Sequence, residues 1–246
     1  MGSLIFTAMS RRPVAALNAS VPPPTPAPPV LRLQRAMFGQ SGSDGPTSAV
    51  SFDLAAGGAH VLTGESGSGK SVILRMIGLA RTPELGALHL FGQDVAAVPH
   101  QRLFVLRRRI GMIFQDLKLV DGLSAQDNIA LAAKAAGRVA EGLTKEIAEV
   151  LAWVGLGRRA LMLAGDLPED GRRRLALARA VINRPDLVVA DEPAGRNGQA
   201  LLALLGELNQ AGTSILLATR DGALAANAGA EVTHLSRANP TSGRRA

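Results

Sequence analysis

The stretch GESGSGKS, residues 64 to 71, carries the strongest chemistry in the chain. Gly64 and Gly69 bracket four residues and lead into Lys70 and Ser71, the spacing G-x-x-x-x-G-K-[ST]. Glycines at those places let backbone N–H groups turn inward around phosphate oxygens, and a helix starting there points its positive end at them. A lysine at the seventh place reaches the outer phosphates, and the hydroxyl after it can ligate Mg²⁺. Gly64, Glu65, Ser66, Gly67, Ser68, Gly69, Lys70 and Ser71 are therefore the candidate nucleotide-binding set.

Two further places complete a metal-assisted phosphate site. LVVADEP, 187 to 193, is an apolar run ending in Asp191, the pattern of a buried strand that delivers one carboxylate to a Mg²⁺ shell. Glu192 follows it, placed to polarise an attacking water. IGMIFQD, 110 to 116, has Gln115 at the end of a strand, 45 residues after Lys70 and 76 before Asp191. Ser71 and Asp191 are thus candidate metal ligands, and Glu192 is a catalytic candidate.

The order of these pieces resembles the ATP-binding cassette (ABC) ATPases. IGMIFQDLKLVDGLSAQDNIAL, 110 to 131, resembles one branch of them, that of FtsE, the ATP-binding subunit that works with the membrane protein FtsX in bacterial cell division. The resembling segment runs from about residue 30 to 236. It implies a P-loop NTPase fold with a mainly parallel core sheet, an N-terminal antiparallel β part and an inserted helical lobe near 116–165. It implies ATP and Mg²⁺ as cofactors, an FtsX-like integral membrane partner docked on the lobe, and two nucleotide domains, a homodimer or a heterodimer, sandwiching two ATPs. Gln115 would touch the metal beside Ser71 and Asp191 and link it to the lobe, and Gln115 and Arg220 would join Glu192 as catalytic residues. Phe38 falls near the family's adenine-stacking aromatic, and plain core packing is its alternative role. An exporter subunit of the lipoprotein-release type is a sibling reading.

Other positions depart from the family. Counting back from Ala178-Arg179-Ala180 puts Leu167-Pro168-Glu169-Asp170-Gly171 where the signature LSGGE belongs. Pro168 offers neither hydroxyl nor N–H, and Glu169 and Asp170 bring negative charge toward a partner's γ-phosphate. Gly198 replaces an aspartate. Arg220 stands after the last strand where the family has a histidine against the γ-phosphate; an arginine can still hold a phosphate but is never neutral. ATP binding within one chain is expected intact. Hydrolysis by a homodimer is expected weakened, and a non-hydrolytic ATP-binding scaffold is the rival reading.

The elements that must position these residues follow from pattern. VLRL (30–33), VSFDL (50–54), HVLTG (60–64), LHLF (88–91), IGMIF (110–114), LVVAD (187–191) and SILLAT (214–219, the last core strand) read as strands. SVILRMIGLA (71–80), the two segments between 124 and 162, RRRLALARAVI (172–182) and ALLALLGELNQAG (200–212) read as helices. The alternation argues a mainly parallel α/β sheet.

Composition narrows the class. The 246 residues include no cysteine, which removes disulfides and thiolate metal sites. The four histidines are scattered, and ordinary loop or strand places suit them better than a metal site. Net charge is +7, but aromatics are only 3% with no tyrosine, so a base-stacking surface, and nucleic acid as partner, is not expected. The runs Arg107–Arg109 and Arg172–Arg174 read as solvated faces. MGSLIFTAMSRR has its arginines after a short apolar patch, the wrong order for a signal peptide, and no stretch is long enough to span a bilayer. The expected place is the cytoplasmic face of the inner membrane, reached through the partner. Residues 1–29 read as a Pro/Ala-rich disordered tail, either a genuine extension or a start codon assigned too early, with docking to a proline-reading partner as the alternative. Residues 30–246 read as the single ATP-binding domain.

Overall fold

A computed structural model describes residues 28–37, 48–81, 83–138, 142–193, 198–227 and 229–236. Two sheets form the frame. The first is antiparallel, in the order β2-β1-β4-β5, from β1 (Leu31–Met37), β2 (Val50–Leu54), β4 (Leu85–Leu90) and the two-residue β5 (Gln93–Asp94). The second is parallel throughout, in the order β6-β7-β8-β3-β9. Its strands are β3 (Ala59–Thr63), β6 (Ile110–Ile113), β7 (Leu187–Asp191), β8 (Ser214–Thr219) and β9 (Glu231–His234). The helices are α1 (Lys70–Ile77), α2 (Leu103–Arg107), α3 (Ala125–Ala135), α4 (Leu143–Trp153), α5 (Glu169–Val181), α6 (Gln199–Gln210) and α7 (Gly222–Asn227).

Every residue of β7 and β8 is buried, as expected for central strands of a sheet covered on both faces. The strand period of two divides them between two cores. Val188, Ala190, Ile215 and Leu217 pack with α3, α4, α5 and α6, while Leu187, Val189, Leu216 and Ala218 pack with α1 and the antiparallel sheet. The parallel sheet is thus the shared wall, and the ends of β3, β7 and β8 open at one edge of it. Gly111 in β6 lets α5 approach closely, since a Cβ there would lie 2.6 Å from the Ala180 carbonyl oxygen.

The expected strands are present, β2, β7 and β8 with the expected ends and the others with shifted ones. β1 runs on to Met37 through a register shift between Leu33 and Ala36. SILLAT is not the last core strand: β9 pairs in parallel with β3 at the sheet edge. Its residues are mostly exposed, so it lacks the apolar run that marks a buried strand. The helix expected at 172–182 begins earlier, at Glu169, directly after Pro168, whose extended ψ of 157° keeps it outside the helix.

Candidate functional site

β3 ends at Thr63, and the loop from Gly64 turns back to start α1 at Lys70. Three glycines carry the turn in left-handed geometry: Gly64 at φ 148°, Gly67 at 79° and Gly69 at 94°. At Gly64 a side chain has no room, since a Cβ would lie 2.3 Å from the Leu235 carbonyl oxygen and 2.9 Å from Ser68 Oγ. Glu65, Ser66 and Gly67 form the exposed rim, and Ser68 is buried beneath. Lys70 Nζ folds inward and donates to the carbonyl oxygens of Gly64 (2.6 Å) and Glu65 (3.0 Å) and to Ser68 Oγ (3.5 Å). Burial pushes the Lys70 ammonium below its ordinary pKa; Glu192 and Asp191 oppose that shift and Arg220 adds to it.

Asp191 ends β7 directly across from this loop. Burial pushes its carboxyl above the usual range, and a hydrogen bond with Ser71 works against that. Its Oδ1 has no hydrogen-bond partner among the described residues. A buried carboxylate oxygen left open beside a serine hydroxyl is what a hard, oxygen-seeking cation fills. Ser71, Asp191 and the Gln115 amide oxygen therefore suit Mg²⁺, and the ion would supply charge against phosphate oxygens there. Gln115 lies exposed in the turn after β6 and lines one cleft of about 210 Å³ with Gly67, Lys70, Ser71, Glu192 and Arg220.

Glu192 is held tightly. Its φ is +46°, rare for a residue with a side chain. Its N–H donates to the Ala218 carbonyl at 2.9 Å, and Arg173 Nη1 donates to its carbonyl oxygen at 3.4 Å. Its carboxylate accepts from Arg220 Nε at 3.0 Å, from the Arg220 N–H at 3.2 Å and from Thr219 Oγ1 at 3.5 Å. Arg220, expected at a phosphate, rests on Glu192.

The Arg172–Arg174 run is half-buried rather than a solvated face, while Arg107 and Arg108 of the other run are exposed as expected. Arg173 pairs with Glu169 at 2.7 Å, Arg174 pairs with Asp170, and Arg172 bonds Asp121 at 2.8 Å. The acids expected to repel a phosphate are thereby each matched by an arginine one turn on. In the other run, Arg109 pairs with Asp186 at 2.7 Å and lies over the Phe91 ring, Arg107 donates to the Leu79 carbonyl, and Arg108 covers Phe104.

Two supporting residues were missed in the sequence. Asn128 is buried, and its side chain bonds Val120 N (2.9 Å), Val120 O (3.0 Å), Leu123 O (3.3 Å) and Ser124 O (3.0 Å), pinning the chain after Gln115 to the start of α3. Arg179 of α5 donates to the carbonyl oxygens of Leu117 and Lys118, both in left-handed conformation. The signal for Asn128 was its place four residues after Ser124, which caps α3; Arg179 stood inside the Ala-Arg-Ala motif used only as a ruler. Gly198, the departure from the family's aspartate, precedes α6. Phe38 lies outside the described residues, so its adenine-stacking role has no geometry here.

Comparison with known proteins agrees with this geometry. The ABC transporter family model matches residues 47–195. The cell division ATP-binding protein FtsE of Escherichia coli K12 is 35% identical over 176 residues, spanning 70% of this chain and 79% of FtsE. The methionine import ATP-binding protein MetN of Brucella abortus (strain 2308) is 32% identical over 223 residues, spanning 88% of this chain and only 60% of MetN. The dimeric ATP-binding cassette MJ0796, in a post-hydrolysis state bound to ADP and Pi, has a TM-score of 0.75 at 26% identity, with 84% of this chain and 94% of that one covered. A second dimeric structure of the same cassette gives 0.74 at 27% identity. The family match over more than half the sequence, with the fold similarity to the cassette structures, makes one conclusion: this chain belongs to the ABC transporter ATPase family.

Proposed function

We infer that this chain is the ATP-binding subunit of an FtsE-like complex, which binds ATP with Mg²⁺ and drives a membrane partner of the FtsX kind in cell division. The observation that carries ATP binding is the convergence of Lys70, Ser71, Gln115, Asp191 and Glu192 on one cleft edge. The FtsE branch is favoured by the match over 79% of FtsE, against 60% for MetN, and by the run around Gln115. Among the described residues no helix is long and apolar enough to cross a membrane, so the membrane step falls to the partner.

In this reading the loop N–H groups and Lys70 hold the β- and γ-phosphates. Glu192 takes a proton from water as its oxygen bonds the γ-phosphorus. The bond from that phosphorus to the bridging oxygen breaks, and ADP and phosphate leave. Preorganised donors around the γ-phosphate supply most of such a rate enhancement. The second reading, a scaffold that binds ATP without turning it over, is favoured by Pro168 at the signature position and by the Arg220 grip on Glu192.

Steady-state ATP hydrolysis by the chain, with and without an FtsX-type partner in detergent, separates the two. A motor gives turnover that falls by at least about 100-fold in both Lys70→Ala and Glu192→Gln. ATP binding that needs Lys70, with turnover no higher than in the two variants, leaves the scaffold.

A further inference from the structure

Arg220 and Glu192 form an ion pair inside the cleft, and its two members differ in freedom. Glu192 is four-fifths buried, has a left-handed backbone, and is tied through its own N–H and carbonyl oxygen. Arg220 follows the last residue of β8, is half exposed, and has a long side chain facing the same space as Gly67, Lys70 and Ser71. Of its guanidinium nitrogens Nε alone bonds Glu192; among the described residues the two terminal nitrogens make no hydrogen bond. While the pair is closed, Oε2 of Glu192 accepts from the Arg220 N–H and Thr219 Oγ1, and Oε1 accepts from the Arg220 guanidinium, which therefore stands in the place of a donor water at that oxygen. A terminal phosphate carries more negative charge than a carboxylate and more acceptor oxygens, so it competes well for a guanidinium fork.

We propose that Arg220 is the residue by which this site distinguishes a nucleoside triphosphate from a diphosphate, resting on Glu192 until a terminal phosphate takes its guanidinium and frees the carboxylate. This rests on the ATP-site reading above. Arg220 is then specific to the triphosphate state, and Glu192 is available only there. With a diphosphate bound, nothing draws the guanidinium away, and the pair stays closed. The guanidinium, always charged, makes the availability of Glu192 Oε1 conditional.

The test is a double-mutant cycle on binding, with the full chain, Mg²⁺, and two probes, ADP and the non-hydrolysable triphosphate AMP-PNP, read by calorimetry. Arg220→Ala is expected to weaken AMP-PNP about tenfold and to leave ADP within about twofold. Glu192→Gln removes charge near the phosphates whether or not Arg220 is present, and that shared effect cancels in the cycle. What remains is the pair broken on binding. The tightening of AMP-PNP by Glu192→Gln is expected to be about threefold to fivefold larger with Arg220 than in Arg220→Ala. For ADP the two are expected to be equal. Arg220→Gln is run beside Arg220→Ala, with melting curves for each, so that a misfolded variant does not decide the outcome.

Equal loss of both nucleotides in the Arg220 variants, or equal tightening in both backgrounds, overturns the switch and leaves a fixed ion pair. Lys70→Ala separates this from the underlying reading. If it weakens neither nucleotide, the ATP site itself is wrong. If it weakens both while the cycle shows no coupling, the ATP site stands and the switch alone falls.

Discussion

Asp191 shows how a single residue can be kept at a cost to stability. It is 8% exposed at the end of β7, and burial holds its carboxyl pKa above the ordinary value. The native state therefore binds a proton more readily than the unfolded chain across the interval between those two values. Stability from this group is greatest below the interval and is lost as pH rises through it. At neutral pH the ionised carboxylate opposes folding, with Lys70 and the Ser71 hydrogen bond offsetting part of the cost. Asp191→Asn removes the charge and keeps the shape. Without metal or nucleotide it is expected to raise the melting temperature by about 2–4 °C, the equivalent of roughly 1 kcal/mol in a chain of this size. The Mg²⁺-dependent part of ATP binding is expected to be lost in the same variant. Thermal melts with and without Mg²⁺-ATP read both effects, and a variant that melts lower than the parent contradicts the burial argument.

At the scale of elements, the site depends on how closely α5 lies on β6. The Gly111 backbone approaches Ala180, and Arg179 one residue earlier in α5 reaches the turn just after Gln115. One helix thus carries the signature position at its start and supports the Gln115 loop near its end. Gly111→Ala is expected to destabilise by about 1–3 kcal/mol through overpacking. Gly122→Ala, where an added Cβ meets nothing within 4 Å, is the matched control and is expected to change little. Urea unfolding followed by the fluorescence of Trp153, which donates to Glu207 at 2.8 Å, reads both. Equal midpoints for the two variants would show that α5 can shift without cost. The strands around this contact were legible because burial on both faces leaves unbroken apolar runs such as LVVAD and SILLAT. The phosphate loop was legible because glycine geometry permits few substitutes. What sequence did not reveal has a common origin in pairing across long separations. EVTH is a strand only because β3 lies beside it. Arg220 meets Glu192 only because β7 and β8 are neighbours in the sheet, 28 residues apart in the chain. The arginines of α5 looked like solvent-facing charge until the acids at its start were seen to point back at them.

For the whole molecule, the open question is what α5 presents to a second copy. The neighbouring cassette structures are dimers, and by the family resemblance the start of this helix would be the surface facing the other chain's nucleotide. Here that start has Pro168 with no side-chain cap, followed by Glu169 and Asp170, each engaged by an arginine of its own helix. The surface is nearly neutralised rather than strongly acidic, so the barrier to closing on a partner's phosphate is missing donors more than repulsion. Replacing Pro168-Glu169-Asp170 by Ser-Gly-Gly restores a hydroxyl and two unobstructed N–H groups at a helix start, the arrangement that binds anions. It removes two intrahelical ion pairs, together about 0.6–1 kcal/mol, and adds helix-start glycines whose cost is of similar size. The monomer is therefore expected to remain folded with a slightly lower melting temperature and an unchanged affinity for ADP. In the Glu192→Gln background with Mg²⁺-ATP, the altered chain is expected to sediment as a dimer at concentrations where the parent stays monomeric. Analytical ultracentrifugation decides it. If the parent already dimerises with ATP to the same degree, then the degenerate signature is compatible with closure. The weakness would then have to lie within one subunit, at Arg220 and Glu192, where a partner with an intact signature cannot repair it.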